Sequence, residues 1–429
     1  MSSAFGIPAF RRLWVAGLVS DTGDWFLFIA LPLVVLRLSG SAVGTSLAFL
    51  LELAPAVVLA PLAARLAGRL DRRLLMVCTN VGQALALIPL LFVRSPEDLP
   101  IAYAVIAVHA SLAALFEPAK NSMLPDLVEA DRLVSANALI GLNQNLARLV
   151  GGPLGGVALM VGGLGLVVAL DAASYVISAI LIATLPRAAG RPAGVGEHET
   201  ASAPMGVGAA LRLRALRAVY AIVGLASVAQ GMFLVLFLLF VTDPLHGSDA
   251  DVGLLRGIQA IGAIVAGLAL GFFTRGASPR ALTIGSVFAF GLVSLVTWNL
   301  PSITTQLWPY VVLFAIVGAP GVIMMTGVMS IMQTAAAPRE RAAAFASLGL
   351  VAAVGQAVGI LLAGLAGDPA LLVPLLDLQA CLYLAAGVVG LIWMRRPAAD
   401  AEPATPRGGA RPVEAPPARG RDRERPSGD

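Results

Sequence analysis

Ionisable residues interrupt the apolar runs long enough to cross a bilayer, and five of them could carry chemistry. Asp24 lies near the middle of the run 13–36, and Asp21 sits one turn earlier on the same helical face by i, i+3 spacing. Glu52 falls near the centre of 42–63, Arg148 near the centre of 136–161, and His109 within 101–116. A charge at that depth is costly and normally faces a water-filled cavity or a partner. The chemistry such groups offer is proton exchange: low dielectric makes a carboxyl hold its proton, and a nearby guanidinium releases it. Moving Arg148 relative to Asp24 or Glu52 would change which acid carries the proton. Coupled transport requires that protonation and substrate binding favour different states of one machine. The competing reading is a permanent Asp24–Arg148 or Glu52–Arg148 ion pair that only tethers helices. His109 titrates in the useful range, or else serves as a hydrogen bond between helices.

Substrate contacts would come from rings with few polar anchors. Trp25, Phe28, Phe49 and Phe233 are aromatic candidates near mid-depth, and Asn143, Gln230 and Gln356 are polar ones. Asp171 and Asp377 lie in the outer thirds of their runs, where hydrogen bonding between helices is the expected role.

The elements that must position these groups follow from composition. The chain has 429 residues, 58% hydrophobic and 13% charged, with mean hydropathy +0.87. A soluble domain is about a quarter charged, and a water-soluble fold of this size has no way to hide so much apolar surface. A span needs about 20 apolar residues, and twelve candidates appear: 13–36, 42–63, 74–93, 101–116, 136–161, 164–185, 216–241, 252–273, 281–300, 307–332, 342–366 and 370–394. The first run is too long for a signal peptide and has no small-residue cleavage site, so it is expected to stay as a helix. With both ends placed in the cytoplasm, all Lys and Arg fall inside except Arg37, Arg94 and Arg256, assigned outside, and Arg148 within a span. The expected division is a six-helix bundle over 1–185, a cytoplasmic linker over 186–213, a second bundle over 214–396 and a disordered tail over 397–429.

The net charge of +4 sits in short loops, which topology explains better than nucleic-acid binding. Cys78 and Cys381 lie in different apolar runs and have no metal or redox spacing. There is no phosphate-cradling G-x-x-x-x-G-K-S/T loop and thus no ATP motor. Neither a His-Glu-x-x-His nor a Gly-x-Ser-x-Gly falls on a plausible span, so an enzyme is not expected. No cofactor or metal is implied.

Four segments carry a family resemblance. The loop ending Gly68-Arg69-Leu-Asp71-Arg72-Arg73, the segment Phe116-Glu-Pro118-Ala-Lys120-Asn-Ser-Met-Leu-Pro125-Asp126, the run Asn145-Leu-Ala-Arg148-Leu-Val-Gly151-Gly152-Pro153-Leu-Gly155-Gly156 and the start Ser20-Asp21-Thr-Gly23-Asp24-Trp25 resemble the major facilitator superfamily. In particular they resemble its drug and siderophore exporters of the macrolide-efflux and enterobactin-exporter type. The resemblance covers the first half well and the second mainly in hydropathy. It implies an all-α membrane protein with twelve helices in two pseudo-symmetric six-helix bundles, working by alternating access. It further implies a monomer in the cytoplasmic membrane that exchanges protons for an amphipathic small molecule, with lipid around it. A siderophore exporter, a lysolipid flippase and a transport-inactive sensor are the alternatives. Arg69, Asp71, Arg72 and Arg73 would form one gating motif, and Gly151, Pro153, Gly155 and Gly156 the other. Two departures stand out. Gly68 replaces the motif's usual carboxylate, which either leaves Asp71 to substitute or weakens the clamp, and the helix 5 proline sits one residue late.

Overall fold

A computed structural model describes residues 4–186, 216–273, 278–337 and 340–394. The expected linker and the tail therefore lie outside the described residues. These contain helices and no strand: α1 (Pro8–Ser39), α2 (Ala42–Val58), α3 (Ala60–Arg69), α4 (Arg72–Ala86), α5 (Leu99–Leu127), α6 (Leu133–Ala183), α7 (Arg217–Thr242), α8 (Asp249–Phe273), α9 (Pro279–Asn299), α10 (Leu307–Ala335), α11 (Arg341–Ala363) and α12 (Leu372–Trp393). Among the described residues, ten helical stretches are long and apolar enough to cross a bilayer, and the bent pair α2–α3 raises the count to as many as eleven.

Local chemistry sets the boundaries. Pro8 starts α1, and Gly40 ends it in the left-handed region at φ 59°, its N–H reaching the Leu36 carbonyl at 2.8 Å. Asp71 caps α4 by accepting from the N–H groups of Arg73 and Leu74 at 2.9 and 3.2 Å. Pro55 lies in α2 and Pro61 opens α3, and the two helices meet at 51°. The 51 residues of α6 would make a rod about 77 Å long at 1.5 Å per residue, far beyond a bilayer. Gly163, at φ 62° and ψ −167°, breaks it, in a conformation open to glycine alone. The predicted boundary between 136–161 and 164–185 falls on this break.

Two expectations change. The run 101–116, the shortest of the set, lies within the 29-residue α5, which continues past Pro118 and Pro125. A lone proline removes one helix hydrogen bond, and a helix in a membrane bundle tolerates that loss. Arg256, assigned to an outside loop, is buried at 6% exposure within α8. That helix begins at Asp249, with two acids in its first turn, as its N-terminal dipole favours.

Helix α6 is the central packing element, pressed between α1 and α8. Its glycines supply both faces. A Cβ on Gly151 would lie 2.6 Å from Trp25 Cβ, and one on Gly155 2.7 Å from Phe26 Cα. On the neighbouring face, a Cβ on Gly152 would lie 2.9 Å from the Gly253 carbonyl of α8 and 3.0 Å from Gly257 Cα. Small residues at these five positions let backbones touch, which is how membrane helices gain packing energy without a hydrophobic driving force. Elsewhere α7 packs on α11 and α12, α8 on α10, and α9 on α10 and α12. Large apolar side chains such as Val58, Ile180, Phe272, Leu292 and Leu361 remain exposed, a surface suited to acyl chains.

Candidate functional site

A cavity of about 580 Å³ opens between α1, α2, α3 and α5. Three helical stripes make its walls: Asp24, Phe28 and Leu31 on α1; Ala48, Glu52 and Ala56 on α2; His109, Ala113 and Glu117 on α5. Steps of three or four residues keep each stripe on one face. Trp25 adds a ring. The lining residues include three acids, one histidine and no Lys or Arg.

Asp24 is anchored from behind. The fully buried Tyr175 of α6 donates its hydroxyl to the Asp24 carboxylate. Nε2 of His109 lies 2.6 Å from the Tyr175 oxygen and 4.0 Å from Asp24. Gln83 of α4 donates to the same oxygen at 3.1 Å. The Asp24 side chain keeps 43% of its surface exposed, so it remains reachable from the cavity. Glu52 is exposed on the opposite wall and interacts electrostatically with Arg256. Asp21, one turn from Asp24, interacts with Lys120 and Glu117 of α5, which pair with each other at 2.5 Å.

Arg148 does not join this group. Among the described residues it forms no ion pair with Asp24 or Glu52. Its Nε donates to the Arg256 carbonyl at 3.1 Å, its terminal nitrogen donates to the Gln259 side chain, and its guanidinium lies 5.4 Å from the Trp25 ring centroid. The face of α6 that carries Arg148 and Gly152 is turned to α8, so the arginine points into that seam. The expected partnership of Arg148 with Asp24 or Glu52 is corrected to two acids in one cavity and an arginine outside it. Arg256 occupies a box of rings, 4.7 Å from Phe233, 5.4 Å from Phe28 and 5.9 Å from Phe237.

Trp25 and Phe28 line the cavity; the other cavity candidates lie elsewhere. Phe49 is buried edge-on to Phe28 at 6.0 Å. Phe233 packs in a cluster with Phe237, Trp298 and Phe314. Asn143 donates to the Trp14 carbonyl at 2.8 Å. Gln230 accepts from the Tyr383 hydroxyl at 3.4 Å. The Gln356 backbone closes on Gly231 at the α7–α11 contact. Bundling gives more interior positions than one cavity can use, and depth alone does not separate them. Asp171 is buried, with one oxygen held by Ser174, and Asp377 accepts from Asn299 at 2.8 Å.

The motif residues tie helix ends. Arg72 pairs with Asp126 of α5 at 2.5 Å and donates to the Ser122 carbonyl at 2.9 Å, while Arg73 donates to the Leu185 carbonyl at 2.8 Å. Asp71 serves as the α4 cap, and Gly68 faces open space. Arg69 ends α3.

Sequence reading missed Tyr175, Gln83, Glu117 and Arg256. The available signal was periodicity: Glu117 is two turns from His109, and Tyr175 is one turn from Asp171.

The profile of a family described as "Transmembrane secretion effector" matches residues 2–417. The chain is 31% identical over 388 residues to the multidrug efflux pump Tap of Mycobacterium tuberculosis, covering 85% of this chain and 88% of that protein. It is 23% identical over 367 residues to macrolide efflux protein A of Streptococcus pyogenes, covering 84% and 89%. Likeness to YfiS, an uncharacterized major facilitator-type transporter of Bacillus subtilis, is 29% over 187 residues, or 42% of this chain and 44% of that one. Among solved structures, a bacterial homologue of the iron transporter ferroportin in its inward-facing state superposes with a TM-score of 0.72 at 16% identity, covering 90% of this chain and 99% of that one. The apolar helical bundle and these matches agree: the chain belongs to the transmembrane secretion effector family of major facilitator superfamily transporters.

Proposed function

We propose that the protein is a proton-coupled exporter of amphipathic, lipophilic cations. The carrying observation is the cavity lining: Asp24, Glu52 and Glu117 beside Trp25 and Phe28, with no Lys or Arg among the lining residues. Carboxylates attract a cationic head, and the rings offer it cation–π contact and an apolar surface. A carboxylate that holds either a proton or the substrate's charge makes the two compete, which is the basis of antiport. An anionic siderophore would want basic groups in this lining. The efflux-pump names of the relatives favour drug-like compounds.

Alternating access has support in where the helices meet. Arg37 pairs with Asp249, Ser46 donates to the Ile360 carbonyl at 2.9 Å, and Gly152 meets Gly253. All three contacts lie toward the end of the bundle that holds the α1–α2 connection. The cavity continues toward the other end, past Ala60 and Glu117. Counting α2–α3 as one span and α6 as two gives twelve crossings in two sets of six, joined through 186–213. The excess of basic residues in connections on one side favours two cytoplasmic ends, an inner-membrane location and a cavity open to the cytoplasm. The protein acts as a monomer surrounded by lipid, with 397–429 as a passive tail.

The test is transport in proteoliposomes with an imposed pH gradient. Ethidium should move against its own gradient when the gradient is present, and Asp24→Asn should abolish this while the protein still inserts. Ethidium movement indifferent to the pH gradient would refute proton coupling. A preference for anionic over cationic dyes would refute the substrate class.

A further inference from the structure

The hydroxyl of Tyr175 occupies an unusual position for a buried tyrosine. It lies behind the cavity wall, outside the substrate space, and joins three helices. It donates to Asp24 on α1, and it receives Gln83 of α4 at 3.1 Å and His109 of α5 at 2.6 Å. A phenol has one proton and two lone pairs. With its proton directed to Asp24, its oxygen is the acceptor for both neighbours, which assigns the Nε2 proton to His109. Every hydrogen-bonding valence of the hydroxyl is used. A buried network satisfied in this way is rigid, and it polarises along its length.

We propose that Tyr175 is the positioning residue of the proton-coupling unit, and that it links Asp24 to His109 as one proton-exchanging group. This rests on the proposed proton coupling and extends it from one carboxylate to a hydrogen-bonded chain. The step balances. A protonated His109 gives its Nε2 proton to the Tyr175 oxygen as the Tyr175 proton passes to the Asp24 carboxylate. The products are neutral imidazole, an intact phenol and a carboxylic acid. The reverse step recharges both ends. Because His109 and Asp24 both line the cavity, a substrate cation arriving at Asp24 would drive the proton back toward His109.

Other groups act on the same carboxylate. Asp21 lies on its own helix, Glu117 and Lys120 on α5, and Asp171 on α6. Glu52 faces the cavity from α2, and Arg256 approaches from α8 against Phe28. None of these bonds to the Tyr175 oxygen among the described residues. Removing the hydroxyl therefore breaks the chain without removing a charge.

The experiment is an infrared pH titration of the whole protein in lipid nanodiscs, which needs no substrate. The protonated-carboxyl band lost in Asp24→Asn identifies the group. Tyr175→Phe keeps the ring and deletes the hydroxyl, and the midpoint of that band should move by about one pH unit, the size of one hydrogen bond to a charged group. His109→Gln should also move it, and the double variant should match Tyr175→Phe rather than add to it. A midpoint unmoved by either substitution would overturn the proposal while proton coupling at Asp24 stands. If Tyr175→Phe does not fold, His109→Gln alone decides by the same criterion. The absence of any Asp24-dependent band across the titration would remove the proton-coupled reading together with this one.

Discussion

The Tyr175 hydroxyl donates to the Asp24 carboxylate across the α6–α1 contact. Gly23 makes that contact possible, since a Cβ there would collide with Ser174 Oγ and Asp171 Oδ1, beside Tyr175 on α6. The close approach at Gly23 and the cavity acid one residue on are thus parts of one arrangement. Several consequences can be measured.

Glu52 is the acid on the α2 wall and interacts with Arg256. In Glu52→Gln the cavity loses one negative charge and keeps its shape. Affinity for a lipophilic cation should fall roughly tenfold, or about 1.4 kcal/mol, with little change for a neutral analogue of the same size. Equal losses for both probes in a binding titration would place Glu52 outside substrate recognition.

Arg148 bonds to α8 rather than to a cavity acid. Arg148→Ala should therefore lower stability by about 1–3 kcal/mol, the cost of leaving buried acceptors unpaired, and should preserve the pH dependence of any residual transport. A thermal melt and a pH profile on the same sample separate the two effects. A changed pH profile with an unchanged melt would return Arg148 to the coupling machinery.

Gly156 packs directly on the Asp249 carbonyl, and a Cβ there would lie 3.0 Å from Ala250 Cα. Gly156→Val should force α6 and α8 apart and cost about 1–3 kcal/mol through overpacking. Cross-linking of a cysteine pair placed across this seam should drop correspondingly. Unchanged cross-linking would show that the contact has room to spare.

The Arg72–Asp126 pair is partly exposed, with side chains 15% and 40% accessible. Solvent screening limits its worth to about 0.2–1 kcal/mol. Either single neutralisation should reduce transport modestly, and the exchange Arg72→Asp with Asp126→Arg should restore it. Failure of the exchange would mean that the Arg72 contact with the Ser122 carbonyl carries the clamp instead.

Much of the architecture is written in hydropathy. Apolar runs of bilayer length, turn residues such as Gly40 and Pro61, and the Asp71 cap are local signals, and each appears where its own neighbours dictate. The presence of Asp24 and Glu52 at mid-depth is equally local, because the cost of a charge in lipid depends on its position along one helix. The extension of α5 past Pro118 was not legible, since the support for a proline in a helix comes from neighbouring helices.

Partner choice was not legible either. Arg148 and Arg256 are both single basic residues on apolar helices, and the sequence offered no way to rank their partners. Azimuth around each helix decided it. The glycine face of α6 carries Arg148 into the α8 seam, and α8 brings Arg256 onto Phe28, Phe233 and Phe237. Tyr175 reaches Asp24, and Gln83 reaches Tyr175, only because α1, α4, α5 and α6 converge there. The sequence alone determined that this is a helical membrane protein with acids at mid-depth, because burial of apolar length is a property of each segment. Which acid meets which partner belongs to the tertiary structure, because it depends on the rotation of one helix against another.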